Sequence, residues 1–287
     1  MTVHFGLMFT NTGHGSSAEG AVRLATAAED AGFHALWTVE HVVVPSGYES
    51  AYPYDKSGKM AGGAEDFDLP DPLIWLAYVA ARTSRIRLAT GILIVPQRNP
   101  VITAKEVATL DHLSGGRVTL GVGVGWLEEE FNALNASFAD RGARLDEYIG
   151  VMRALWTQEK ATVKGQFFDF ENCISRPRPA NGTVPVVIGG HTKLAARRAG
   201  RLGNGFFPGN SSIEEITALV GVMRDAAVGA GREPDQIDLI AGGGMPGDEL
   251  YRRVEELQAL GCTEVILPAF PPDMLGGIGA DLTARFG

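Results

Sequence analysis

Short apolar stretches rich in β-branched residues alternate along the chain with longer stretches whose apolar positions recur every three to four residues. The strand-like stretches cover residues 3–9, 35–41, 86–94, 117–124, 184–189, 204–208, 237–243 and 264–269. Helical periodicity occupies 17–32, 71–82, 99–115, 145–158, 191–201, 212–230 and 248–260, with a short last segment near 273–285. Strand followed by helix, eight times, predicts an α/β protein of the (β/α)8 TIM-barrel type: a ring of parallel strands surrounded by helices. An open doubly wound sheet is the structural alternative, but it rarely needs eight regular units. Residues 1–287 read as one such domain, with no internal repeat and no linker rich enough to divide it.

Helix starts carry their own signals. Ser16 with Glu19 and Ser212 with Glu215 have capping-box spacing, and Asp71-Pro72 and Asn99-Pro100 place a cap residue before a first-turn proline. In the segment 145–158, Leu145, Ile149, Met152, Leu155 and Trp156 fall on one face, as on a helix packed against a barrel.

Two stretches break the rhythm. Residues 42–70 form a long loop after the second strand, with Gly47, Gly58, Gly62 and Gly63 beside Tyr48, Tyr52 and Tyr54. In a barrel this loop leaves the C-terminal face, so a substrate lid and a plain excursion are both open readings. Residues 160–183, with Phe167-Phe168-Asp169-Phe170, predict a β-hairpin inserted between the fourth and fifth strands.

Composition narrows the partners. With 45% hydrophobic residues the chain has ample material for a core, and 25 Lys+Arg against 34 Asp+Glu give a net charge of −9. An acidic surface without a basic run argues against a nucleic-acid partner. No apolar stretch approaches the ~20 residues of a membrane span, so no membrane partner is expected. Met1 to Gly6 lead into a strand without the basic and apolar regions of a secretory leader. The two cysteines, Cys173 and Cys262, are far apart and fit a reducing, cytoplasmic setting.

Candidate chemistry gathers at the strand ends. The second strand ends in Glu40-His41, where a barrel projects its catalytic groups. Histidine exchanges protons near neutral pH, which makes His41 the candidate catalytic residue. A salt-bridged pair fixing the loop is the alternative, and alternation would turn only one of the two toward the barrel mouth. The third strand carries Thr90-Gly91-Ile92, whose interior glycine suggests a bulge or a closely approaching ligand. In the fourth, Gly121, Gly123 and Gly125 share one face and precede Trp126. That face either lets a planar ring lie on backbone or makes room for bulky interior neighbours. The spacing is GxGxG, not the GxGxxG dinucleotide fingerprint.

The fifth strand ends in Gly189-Gly190-His191-Thr192 and opens a helix with Lys193, Arg197 and Arg198; free amides there suit an anion. Gly205 to Asn210, including Gly209, form a similar turn after the sixth strand. The six histidines contain no HxxxH pair, so no metal site is expected, and neither a GxSxG elbow nor a P-loop occurs.

In order and spacing, these segments resemble the luciferase-like monooxygenase superfamily of flavin and 5-deazaflavin oxidoreductases, particularly its bacterial deazaflavin-dependent branch. The resemblance spans nearly the whole chain. It is carried by Glu40-His41, Thr90-Gly91-Ile92, Gly121 through Phe131, Arg141 through Tyr148, Leu155-Trp156, Ile188-Gly189-Gly190 and Ala199 through Gly205. It implies a ring cofactor across the barrel mouth, backed by a bulge with a non-proline cis peptide at Gly91–Ile92. It also implies His41 near the reacting atoms and a phosphate held by Gly189, Gly190, His191 and Thr192, with Gly209 alongside.

Thr90, Gly91, Ile92, Gly123 and Gly125 complete the expected cofactor set, and Glu40 and Trp126 the substrate pocket. In deazaflavin-dependent sugar-phosphate dehydrogenases a catalytic glutamate follows the glycines; here Trp126 stands in its place, which argues against that substrate and for an apolar pocket. Glu128 to Glu130 read as the solvated start of the next helix. The expected activity is hydride transfer between coenzyme F420 and a small organic molecule. An FMN-dependent monooxygenase and a non-catalytic flavin-binding barrel are the alternatives, and the resemblance suggests a homodimer.

Overall fold

The computed structural model describes residues 3–209 and 211–287. Met1, Thr2 and Asn210, read above as the approach to the first strand and part of the turn after the sixth, lie outside the described residues. Eight parallel strand positions close into a barrel. In ring order they are β1 (His4–Met8), β2 (Ala35–Thr38), β3 (Arg87–Thr90), β5 (Val118–Gly123), β8 (Val186–Gly189), β9 (Gly205–Phe207), β10 (Asp238–Gly242) and β11 (Cys262–Pro268). The ring closes because β3 pairs with β5 and β11 with β1. The third predicted strand is in fact broken: after the cis peptide Gly91–Ile92 it resumes as β4 (Leu93–Ile94), which pairs with β5. The inserted hairpin is present as antiparallel β6 (Ala161–Lys164) and β7 (Asp169–Cys173).

The helices around the ring are α1 (Ala18–Asp30), α2 (Pro72–Ala80), α3 (Pro100–Ser114), α5 (Arg141–Thr157), α6 (Lys193–Leu202), α7 (Ile213–Gly229), α8 (Asp248–Ala259) and α9 (Pro272–Phe286). Among the described residues no helix is long and apolar enough to cross a membrane. Asp71 and Asn99 cap α2 and α3 just ahead of a first-turn proline, as expected, and Ser212 with Glu215 forms a full capping box. The first helix differs: its cap is Ser17, whose hydroxyl accepts from Gly20 N, so the Ser16–Glu19 spacing was one residue out of register. The sequence also missed α4 (Glu128–Ala133), a separate short helix ahead of α5, which itself begins at Arg141 rather than 145.

Side chains alternate between two cores. Outward residues such as Leu36, Leu88, Leu120, Ile188 and Leu267 pack beneath the helices. A smaller inner core holds Trp37, Ala89, Val187, Phe207, Ile240 and Ile266, with Trp37 and Phe207 rings 6.0 Å apart. Close packing requires glycine on the neighbours of Trp37: a Cβ at Gly121 would stand 1.9 Å from Thr90 O and 3.3 Å from the Trp37 ring, and one at Gly91 3.0 Å from the Met8 side chain and 3.2 Å from that ring. The inner core thus fills the barrel, and the large cleft lies at the strand C-termini, where β2, β4, β5 and β8 deliver their last residues.

Candidate active site

A cleft of about 800 Å³ opens at this C-terminal mouth. Its floor is set by the break in the third strand. After the cis bond, the Ile92 side chain lies across the tips of β5 and β8: a Cβ at Gly123 would come 2.6 Å from Ile92 Cδ1, and one at Gly189 2.6 Å from Ile92 Cγ2. At Gly125 a Cβ would meet the Phe131 ring at 2.7 Å. The glycine face of β5 is thus occupied by neighbouring side chains, and the floor it supports is Ile92, not bare backbone. The expectation of a ring resting on main chain is corrected in that respect, while Gly91, Ile92, Gly123, Gly125, Gly189 and Gly190 all do line the cleft. Thr90 does not: it is 1% exposed and its hydroxyl donates to Gly121 O at 2.7 Å. Gly209 is not part of the lining either, while Tyr54, which is, lies 3.7 Å from where a Gly209 Cβ would be.

His41 and Glu40 follow the end of β2 and both reach the cleft wall, but neither pairs with the other. The Glu40 carboxylate is committed elsewhere: Oε2 accepts from Ile94 N at 2.5 Å and Oε1 from Arg98 Nε at 2.7 Å, with Arg98 also bound to Asp71. Burial pushes its pKa above the usual carboxylate range, against the pull of the Arg98 charge and the Ile94 amide. Glu40 therefore ties β2 to the segment after β4, and the expectation that it meets substrate is replaced by this structural bond.

His41 has a different partner. Its Nδ1 lies 2.9 Å from Oε2 of Glu130, which is fully buried, and Glu130 Oε1 accepts from Val42 N at 2.6 Å. The reading of Glu130 as solvated was wrong, and a signal for it existed: Leu127, Glu130 and Phe131 stand at i, i+3 and i+4, one helical face, and all three are buried. Glu129 is also engaged, its Oε1 accepting from Glu49 N at 2.7 Å and Ser50 N at 3.0 Å. Hydrogen bonds from the Ser50 side chain and from these amides outweigh desolvation and hold its pKa down to about 2. Two consecutive glutamates of α4 thereby anchor the loop 42–70.

That loop is an ordered wall rather than an excursion. Tyr48 is 2% exposed, its hydroxyl accepts from Met60 N at 2.9 Å, and Tyr52, Tyr54, Met60, Phe67 and Leu69 face the cleft. Trp126 meets the wall from the other side, its ring 5.6 Å from His41, 5.4 Å from Tyr48 and 5.2 Å from Tyr52, all edge-on. This half of the cleft is aromatic and apolar around one imidazole.

The opposite half is built for negative charge. Gly189, Gly190, His191 and Thr192 lead into α6, where the Thr192 hydroxyl caps the helix by accepting from Ala195 N at 3.2 Å. Gly190 has φ 134°, a conformation L side chains rarely adopt. Among the described residues His191 Nδ1 is buried without a hydrogen-bond partner, its ring edge-on to Tyr54 at 5.0 Å. Arg141, carried into the cleft by the first turn of α5, bonds only backbone carbonyls, Gly125 O at 3.2 Å and Phe138 O at 2.8 Å. No carboxylate ion pair to it is formed among the described residues, and its guanidinium stacks 3.7 Å over the Phe138 ring. The neighbouring Arg198 is instead paired with Asp146.

The barrel mouth thus joins an aromatic, histidine-bearing pocket to the glycine turn at the start of α6, where Gly190 N donates to Phe207 O at 3.0 Å. A profile of luciferase-like monooxygenases matches residues 1–245, and the chain belongs to the luciferase-like monooxygenase family, as its motifs implied. Its relatives include a protein of Mycobacterium tuberculosis, 34% identical over 268 residues that cover 92% of this chain and 91% of that one. An F420-dependent glucose-6-phosphate dehydrogenase of Nakamurella multipartita is 32% identical over 225 residues, 76% of this chain and 60% of the relative. Among solved structures, an F420-dependent secondary alcohol dehydrogenase in complex with an F420-acetone adduct matches with a TM-score of 0.81 at 17% identity, covering 99% of each chain. At that identity the likeness speaks for the fold.

Proposed function

We propose that this protein is an F420-dependent oxidoreductase that transfers a hydride between the cofactor and a small, uncharged organic substrate. The observation that carries this reading is the two-ended cleft: one continuous cavity holds the His41–Trp126 pocket and the Gly189–Thr192 cradle with the unpaired Arg141. Relatives named as F420-dependent dehydrogenases favour the deazaflavin over FMN. The residues present fit such a group, because the orphaned His191 Nδ1 and the amides at the start of α6 supply partners for an anionic tail. When bound, a 5-deazaflavin supplies two-electron hydride chemistry.

The chain's own residues do the rest. Ile92 supports one face of the ring site, Arg141 and the α6 amides hold the tail, and the 42–70 wall excludes water from the reacting carbon. His41 exchanges a proton with the substrate heteroatom at its free Nε2. Trp126, in the place where sugar-phosphate dehydrogenases of this family carry a glutamate, closes the pocket to a phosphorylated sugar. Exposed Ile74 and Tyr78 on α2 and Ile102 on α3 support a homodimer through these helices, and the unpaired cysteines fit a cytoplasmic setting.

The test is a fluorescence titration of apoprotein with F420 and with FMN. Tight binding of F420 and weak binding of FMN is expected. Preference for FMN with substrate-linked oxygen uptake would replace the reading by a monooxygenase, and tight binding without turnover across a substrate panel by a carrier.

A further inference from the structure

We infer that Glu130 is a positioning residue that fixes His41 in the tautomer protonated at Nδ1, so that the substrate pocket is offered a bare Nε2 acceptor. The argument is one of hydrogen-bond arithmetic. A carboxylate has acceptors only. Glu130 Oε1 is taken by Val42 N at 2.6 Å and more weakly by Val43 N at 3.4 Å, and Oε2 faces His41 Nδ1 at 2.9 Å. Toward an ionised Glu130 the Nδ1 nitrogen is the donor. Because Glu130 has no exposed surface, no water competes for Oε2, and the pair is sequestered from solvent on the glutamate side. Among the described residues Nε2 has no hydrogen-bond partner, and His41 lines the cleft.

The consequence for substrate rests on the oxidoreductase reading above; the tautomer does not. An imidazole that presents an acceptor selects a ligand that brings a donor. The same cleft wall carries the aromatic and apolar side chains of Trp126, Tyr52, Phe67, Leu69 and Val39, while its cations, Arg141 and Arg198, belong to the half assigned to the cofactor tail. The matching ligand is an alcohol on an uncharged, apolar body, in preference to the corresponding ketone.

Glu130→Gln tests this with little change of shape. The Val42 and Val43 amides still require an oxygen, so they hold the Gln oxygen at the Oε1 position and leave its NH2 facing His41 Nδ1. The imidazole must then accept at Nδ1, and its proton moves to Nε2. Ring 15N spectra of apoprotein at alkaline pH read this directly, with His41→Asn identifying the resonances. The wild type is expected to show a protonated Nδ1 and a bare Nε2, Glu130→Gln the reverse, and Glu130→Asp the wild-type pattern. A protonated Nε2 in the wild type, or an unchanged tautomer in folded Glu130→Gln, overturns the assignment whatever the cofactor proves to be.

With cofactor bound, cyclohexanol should bind the wild type more tightly than cyclohexanone, and Glu130→Gln should invert the order. Equal binding of the two, or of neither, overturns the substrate class and leaves the spectra to judge Glu130. Turnover in Glu130→Gln should fall by roughly 10³- to 10⁴-fold with KM nearly unchanged, the scale of a wrong-tautomer histidine elsewhere. A purely structural glutamate would change thermal stability without moving the ring resonances.

Discussion

Gly189→Ala is the sharpest probe of the cleft floor. The substitution is not opposed by backbone conformation; what opposes it is the Ile92 side chain, whose Cγ2 would stand 2.6 Å from the new methyl. Ordinary contact begins at 3.4 Å, so Ile92 must retreat by about 0.8 Å or more. It has little room toward β5, because its Cδ1 already fills the side-chain space that Gly123 leaves, 2.6 Å from where a Cβ would stand and so close to that strand's backbone. The remaining direction is upward, into the space assigned to the cofactor ring. Overpacking of this kind typically costs about 1–3 kcal/mol, and if it falls on the bound state, affinity drops roughly 5- to 150-fold. Fluorescence titration with F420 measures it, alongside urea unfolding of the apoprotein. The double variant Gly189→Ala/Ile92→Ala removes the obstructing branch and should recover most of the lost affinity. Unchanged affinity in a folded Gly189→Ala protein, or no recovery in the double variant, would refute Ile92 as the floor of the ring site.

His41→Ala should lower kcat by about 10²- to 10⁴-fold while shifting F420 affinity by no more than roughly threefold, since His41 lies away from the tail cradle; stopped-flow reduction and titration separate the two, and an equal loss in both would move His41 into cofactor binding. Arg98→Ala leaves the Glu40 carboxylate, 1% exposed, with the Ile94 amide as its remaining donor, so urea unfolding should show a loss of about 3–5 kcal/mol; a change below about 1 kcal/mol would show that Glu40 is neutral or resolvated. Glu264 faces the barrel interior on β11, where burial raises its pKa to about 7 against a hydrogen bond from Trp37 Nε1 at 2.9 Å. A raised folded pKa gives stability that is fully present below the unfolded value of 4.5 and is lost as pH rises to about 7, at most roughly 3 kcal/mol. Glu264→Gln should therefore flatten the stability profile between those pH values and melt higher than wild type above neutrality; an unchanged slope would mean that the carboxyl ionises without penalty.

Barrel architecture was legible because it repeats: eight alternations of period two and period 3.6 leave few ways to bury both faces. The bulge was legible only through Thr90-Gly91-Ile92 and the family it resembles. What periodicity could not show is which neighbour fills a glycine's space. Gly123 and Gly189 are compatible with a ligand or with Ile92, and the choice depends on a turn in the third strand that no local pattern encodes. Glu130 was missed for a related reason. Three consecutive glutamates at a helix start satisfy the dipole and look solvated, and only their placement against the end of β2 buries the third. Glu40 misled in the opposite direction, because its partner Arg98 lies 58 residues on.

Glu129 and Glu130 hold the 42–70 segment chiefly through main-chain amides, those of Glu49, Ser50, Val42 and Val43. Anchors that grip backbone are indifferent to most of what the segment displays. The inner surface contributed by Tyr52, Tyr54, Phe67 and Leu69 can therefore be rewritten while the attachment points persist. A scaffold arranged this way can exchange one substrate for another by altering a handful of loop positions, without disturbing the cradle or the histidine, which makes the segment the natural target for grafting new specificity onto the same barrel.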